Sequence, residues 1–348
     1  MKILFLSKYC IEGPSSRYRF YNYKSYFEEE GIICIFKPLL SKNYVANLYK
    51  NKKIKVKMQS VFSILKRLFF LLFNSKGFDI IIIEKELFPN FPFFIEAYLL
   101  KNYNYALDFD DYIATNYKQN PFMSLFLFNK IDQLAREAKF VTVGNHWYFD
   151  EIKSNNLIYL PTVINLDYYA AVKQNYNNEK ITIVWIGSPS TAKYLNLIIP
   201  VLKCLNKKYP IKFKVIGAKI PLDENLEIEL VNWNIETEAE ELISSDIGVM
   251  PLESTLWEKG KCGIKLIQYM ACGLPVIANS SPANDEIIEN DINGYIVKDN
   301  IDWYSRLEEL ILNETLREKF GKSARKRIES EYSYQVWGSR YVKIIKNV

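Results

Sequence analysis

The chemistry-bearing residues of this chain concentrate in one run, Gly260–Ala278, which reads Gly-Lys-Cys-Gly-Ile-Lys-Leu-Ile-Gln-Tyr-Met-Ala-Cys-Gly-Leu-Pro-Val-Ile-Ala. A glycine-and-lysine loop opens a short apolar helix there, and a glycine stops the helix before a strand. A loop of this kind aims free backbone N–H groups and the positive end of the helix dipole at one spot. Glycine lets backbone approach a ligand closely. Lys261 and Lys265 lie four residues apart and would share a helix face, reinforcing a positive field around Gly263 and Ile264. The matching chemistry is phosphate or diphosphate binding. The residues alone equally fit an ordinary α/β loop with solvated lysines.

Other loops carry related signals. Gly187-Ser188-Pro189-Ser190-Thr191 ends an apolar strand, with Lys193 just beyond it in the first turn of a helix that Thr191 is placed to cap. A cation at a helix N-terminus is disfavoured unless an anion compensates, so Lys193 reads as a phosphate ligand. Ser188 reads as a second contact or as a turn residue. Gly13-Pro14-Ser15-Ser16-Arg17-Tyr18-Arg19 puts two guanidinium groups at another helix start. Arginine suits bidentate phosphate contact, and Gly13, Arg17 and Arg19 are the candidates for holding a phosphate, on an acceptor or on a donor diphosphate. Solvated arginines, or pairs with Glu28–Glu30, are the plain alternative. Asp110 and Asp111 follow another apolar strand, where capping a helix is the plain role for one of them. His146 is the only histidine, and with no nucleophile-elbow sequence a Ser-His-Asp hydrolase is excluded.

These loops need a scaffold. The chain has 348 residues, long enough for two domains, and 49% hydrophobic content supplies two cores. A net charge of +5 from 45 basic and 40 acidic residues is too modest for a nucleic-acid binder and suits anionic substrates or an anionic membrane surface. Five scattered cysteines suggest neither disulfides nor a zinc site, hence a reducing cytoplasm. No signal peptide is read at the N-terminus, and the apolar stretches between Val61 and Leu100 are too interrupted to span a bilayer. Strand–loop–helix–strand order appears from Lys2 to Phe36 and returns from Ile181 to Ile216. Further buried-type strands are expected at Ile80–Ile83, Ala106–Phe109, Phe140–Val143, Ile247–Met250 and Val276–Ala278. The junction falls near Pro161–Asn178. The reading is α/β: two Rossmann-like, doubly wound domains, 1–165 and 170–331, facing each other across a cleft, with a helical segment at 332–348.

The Gly260–Ala278 run is similar to the nucleotide-binding segment of GT-B glycosyltransferases, particularly family 4. There a loop, a helix ending Met-Ala-x-Gly-x-Pro-Val and a strand hold the diphosphate and ribose of a nucleotide-sugar. The Gly-Lys-Cys-Gly-x-Lys-Leu-x-Gln-Tyr-Met-Ala pattern resembles a bacterial subset. The resemblance covers about Ile181 to Ser333 and more loosely Gly13–Arg19 and Asp108–Asp111. It implies a hexosyltransferase-type enzyme using a UDP- or GDP-linked donor, without metal or other cofactor, and acting with retention. Lys193 and Lys265 would stabilise the departing diphosphate, with Gly187, Ser188, Lys261, Gly263, Ile264 and Gln268 in the donor site. Trp233 would flank the base or belong to the core. Asp110 and Asp111 would face the sugar as the candidate catalytic carboxylates, orienting hydroxyls or stabilising positive charge at the anomeric carbon. The last helix would cross back to the first domain.

The chain departs from the family where two glutamates are usual: Gly260 stands at the first and Gln268 at the second. Gln268 can still hydrogen-bond a diol, whereas Gly260 cannot replace a carboxylate. Glu258 is near in sequence, with nothing to place it in the site. Asp108-x-Asp110 also matches the manganese-binding pattern of GT-A enzymes, which the second half argues against. A non-catalytic sugar-nucleotide-binding subunit and a GT-B-fold epimerase remain as rivals. The acceptor is expected to be a glycan or lipid-linked, in bacterial surface polysaccharide synthesis. The lysine-dense 50–57 stretch and Val61–Phe73, apolar at near-helical spacing, read as an interfacial helix on the inner face of the membrane or as a helix packed on the sheet.

Overall fold

The structure, a computed structural model, describes residues 1–42, 44, 53–73, 76–173, 175 and 179–347. Part of the lysine-dense stretch (50–52) and part of the junction (174, 176–178) lie outside the described residues. Two compact units divide the chain: 1–162 with Gly260–Cys262 and the segment from Trp337, and Val163–Lys259 with Gly263–Val336.

The first unit holds a six-stranded sheet of β1 (Lys2–Leu6), β2 (Ile33–Phe36), β3 (Ile80–Glu84), β4 (Tyr105–Phe109), β5 (Val141–Val143) and β6 (Leu157–Tyr159) in the order β2-β1-β3-β4-β5-β6, all parallel. The second holds β7 (Ile181–Ile186), β8 (Ile211–Ile216), β9 (Glu227–Val231), β10 (Ile247–Met250), β11 (Val276–Asn279) and β12 (Gly294–Val297), again all parallel, in the order β12-β11-β10-β7-β8-β9. Parallel pairing demands crossover helices that bury both faces, which is why β1, β3, β4, β7 and β10 are nearly continuous apolar runs. In each unit the sequence order reverses beside the first strand, where such sheets bind ligands beyond the strands' carboxyl ends.

The expected contiguous second domain is corrected in one place. Gly260–Cys262, part of the motif, is packed in the first unit. A Cβ on Gly260 would lie 2.4 Å from Tyr112 Cβ and 2.6 Å from Tyr112 N. The Gly260 carbonyl accepts from Tyr148 Oη at 2.8 Å, and the Lys261 carbonyl from Asn145 Nδ2 at 2.8 Å. The last helix, Tyr334–Lys346, belongs to the first unit from Trp337 on, where the Tyr341 ring lies 4.9 Å from Tyr23 and 5.3 Å from Phe27.

Candidate functional site

Of the donor candidates, Lys265 and Gly187 meet beyond the carboxyl end of β7. Lys265 sits in the first turn of the helix Ile264–Ala271, and its Nζ stands 4.3 Å from the Trp185 ring centroid and 3.4 Å from Thr191 Oγ1. A Cβ on Gly187 would meet that ammonium at 2.7 Å and the Trp185 ring at 2.6 Å. Gly187 therefore leaves the space in which the lysine lies over the indole, a favourable cation–π arrangement. Gly263 caps the helix in the left-handed region (φ 64°), which glycine adopts without penalty. Close to it, the buried Asn284 Oδ1 has no hydrogen-bond partner among the described residues, and lies 3.6 Å from where a Gly263 Cβ would be.

Ser188 precedes a 3₁₀ segment, Pro189–Leu197, and its Oγ pairs with Ser190 Oγ at 2.9 Å. Thr191 does not cap a helix; its hydroxyl donates back to the Ser188 carbonyl at 3.0 Å. Pro189 starts the turn three residues earlier than a Thr191 cap would, because proline favours a first helical position. Lys193 is exposed, with Nζ 3.6 Å from Glu253 and 4.8 Å from the Tyr194 ring centroid.

Gln268 is buried, and its Nε2 donates to Glu238 Oε1 at 2.6 Å and meets Tyr169 Oη at 3.3 Å. Glu238 also accepts from Tyr169 Oη and, through Oε2, from Trp233 Nε1 at 2.5 Å. Trp233 is thus half-exposed and tethered, so it is not a core residue. A carboxylate thus stands beside Gln268, supplied by a different helix, Glu238–Ile243. Glu258 accepts from Tyr194 and Thr255 hydroxyls and lines a cavity of about 150 Å³ with Glu253, Lys259, Ser280 and Asp285.

In the first unit the expected acceptor residues separate. Arg19 is corrected: it is fully buried, with Nε 3.0 Å from Asp108 Oδ2 and Nη1 2.6 Å from the Leu160 carbonyl. Its charge is spent on an internal pair, as burial requires. Arg17 is mostly buried, its guanidinium 5.1 Å from the Tyr18 ring centroid. Gly13 is held against Tyr9, where an added Cβ would come within 2.3 Å of Tyr9 Cβ. His146 is exposed and stacks on Tyr159 at 4.1 Å.

Asp110 and Asp111 converge on one cation. Lys85 Nζ lies 2.9 Å from Asp110 Oδ1 and 2.7 Å from Asp111 Oδ2. Ser15 Oγ donates to Glu84 Oε1 at 2.8 Å and also to Asp110. Burial works against all three charges. It wins at Glu84, whose carboxyl is pushed up, while the Lys85 ammonium overrides it at Asp110, which is held below the usual carboxylate range. Burial likewise opposes the Lys85 charge, but Asp110 and Asp111 hold its pKa well above the ordinary value. Lys85 also occupies positive φ (66°), uncommon for a side-chain-bearing residue. Sequence reading missed Lys85, though its place after an apolar strand was a usable signal. It also missed Glu238 and Trp185, for which no local pattern exists. Among the described residues no group of three His, Cys, Asp or Glu side chains could hold a metal ion.

A two-sheet chain with this helix-and-glycine site is of the GT-B class. It aligns with a glycosyltransferase from Rickettsia africae at a TM-score of 0.70 and 16% identity, covering 100% of this chain and 99% of that one. It aligns with Anabaena HepE, solved with UDP-glucose, at 0.69 and 11%, covering all of both. TarM gives 0.62 and 17%, over 81% of this chain and 58% of TarM. These likenesses concern the fold. Residues 170–327, nearly all within the second unit, are similar to the family described as Glycosyl transferases group 1. Spore coat protein SA of Bacillus subtilis is 39% identical over 71 residues, 20% of this chain and 19% of that protein. Sucrose synthase of Melioribacter roseus is 26% identical over 142 residues, 39% and 16% respectively. The matches therefore span less than a fifth of the length of these curated relatives.

Proposed function

We propose that the chain moves a sugar from a UDP- or GDP-linked nucleotide-diphospho-sugar to a glycan or lipid-linked acceptor in bacterial surface polysaccharide synthesis. The observation that carries this is the Lys265 ammonium over Trp185, beside the Gly263 helix N-terminus. A fixed cation beside the positive end of a helix dipole suits the charge that develops on a departing diphosphate. Lys261, Lys193 and Ser188 are kept as further donor contacts, and Trp233 as a base contact. Relatives in the same fold support a nucleotide-sugar: HepE was solved with UDP-glucose and TarM with UDP.

Catalysis proceeds on this reading without a metal. Arg19 at Asp108 and Lys85 at Asp110 already supply the positive charge that a divalent ion would bring to the Asp108-x-Asp110 pattern. Asp110 is then an ionised carboxylate suited to orienting sugar hydroxyls or facing a positive anomeric centre. Retention of configuration rests on the family resemblance alone. No helix among the described residues is long and apolar enough to cross a membrane. Cytoplasmic work, peripheral on the inner membrane face, follows from the donor and acceptor proposed. The test is incubation with labelled UDP- and GDP-sugars and a membrane extract. Label entering the extract, undiminished by chelator, is expected. Abolition by chelator, sugar conversion without acceptor, or binding without turnover would each replace the reading.

A further inference from the structure

The helix Lys53–Phe73 has two apolar faces. One packs on the core of the first unit through Ile64, Leu68 and Leu71. The other is exposed among the described residues: Ile54, Met58, the adjacent pair Val61 and Phe62, Leu65, Phe69 and Leu72 follow one another at steps of three or four apart from that pair, Phe62 being 69% exposed. Side chains at that spacing share one stripe. The helix Phe93–Leu100 continues the surface, with Phe94 68% and Tyr98 65% exposed. Between the two helices runs a groove of about 480 Å³ lined by Leu68, Leu72, Phe94, Ile95, Tyr98 and Leu99. Contiguous apolar surface of this kind marks an interaction site rather than ordinary scatter.

The charges choose the occupant. The helix Lys53–Phe73 contains no Asp or Glu, and Lys55, Lys57 and Lys66 are exposed along it. Lys101 Nζ lies 4.2 Å from the Tyr98 ring centroid, at the end of the second helix. The one carboxylate of that second helix, Glu96, is buried and paired with Lys130 at 2.7 Å. An apolar stripe bordered by ammonium groups, with no exposed carboxylate on either helix, complements an anionic bilayer: rings enter the acyl boundary while lysines meet headgroups. We infer that these two helices dock the first unit on an anionic lipid surface, with the Leu68–Tyr98 groove taking an acyl chain. The inference rests on the proposed function for its purpose and not for its test.

Flotation with vesicles of phosphatidylcholine, with and without phosphatidylglycerol, tests it. The protein should float with the anionic vesicles, weakly with neutral ones, and less as salt rises. Phe62→Ser with Phe94→Ser should lower vesicle affinity about tenfold per ring. Lys55→Glu with Lys66→Glu should lower it by more than about fivefold per lysine. All four side chains are exposed, and unchanged UDP affinity would show that the variants fold and that the donor reading stands apart. Wild-type protein that stays with the solvent, or variants that float like wild type, would overturn the inference. So would self-association abolished by the phenylalanine changes, which would assign the face to a second copy.

Discussion

Lys265 holds its ammonium 4.3 Å from the Trp185 ring centroid, in space that exists only because residue 187 has no side chain. Two residues 80 positions apart in the chain thus depend on each other through a glycine. Gly187→Ala is predicted to push the ammonium and indole aside. Stability should fall by about 1–3 kcal/mol, as for overpacking, and UDP affinity should fall with it. Thermal unfolding and calorimetric titration read both.

The sequence resemblance puts Gly260 at a position where a glutamate is expected, yet its backbone lies against Tyr112 too closely for any Cβ. Gly260→Glu is therefore predicted to destabilise rather than to improve turnover, again by about 1–3 kcal/mol or more. A stable, faster variant in a transfer assay would show that the contact with Tyr112 is dispensable.

Arg19 and Asp108 form a buried pair, so Asp108→Asn leaves a buried guanidinium without its counter-charge. A loss of about 3–5 kcal/mol is expected from one-sided removal. Denaturant unfolding measures it. Acceptor affinity of whatever protein remains folded should be unchanged, since Arg19 is enclosed.

Glu96 and Glu86 share the single ammonium of Lys130 in the core, at 2.7 and 2.6 Å. Burial, with Glu86 adding to it, pushes the Glu96 carboxyl up to about 7. A raised carboxyl favours the protonated folded state, so its contribution is full below the unfolded pKa and is lost as pH rises to about 7. Stability from this group should fall by at most about 1.4 kcal/mol per pH unit between roughly 4.3 and 7. Glu96→Gln should flatten that slope in unfolding measured across the window.

The central strands were legible because a parallel sheet buried on both faces writes itself as unbroken Ile, Val and Leu. Ile181–Ile186 and Ile247–Met250 were read to the residue. The strands missed, Leu157–Tyr159, Glu227–Val231 and Gly294–Val297, all lie at sheet edges. The first two are half-exposed and so carry mixed sequences. The Gly263 and Lys265 end of the motif was legible because helix N-termini and glycines act locally. The Gln268–Glu238 and Lys85–Asp110 contacts were not, since each joins residues from different elements. Arg19 was misread for the same reason: its partner Asp108 is 89 positions away.

Lys265→Ala tests the central claim most directly. Calorimetric titration of UDP and GDP should give a dissociation constant raised at least tenfold for the preferred nucleotide, about 1.4 kcal/mol, with unfolding unchanged. Equal affinity in the variant and the wild type would remove Lys265 from the donor site and contradict the account.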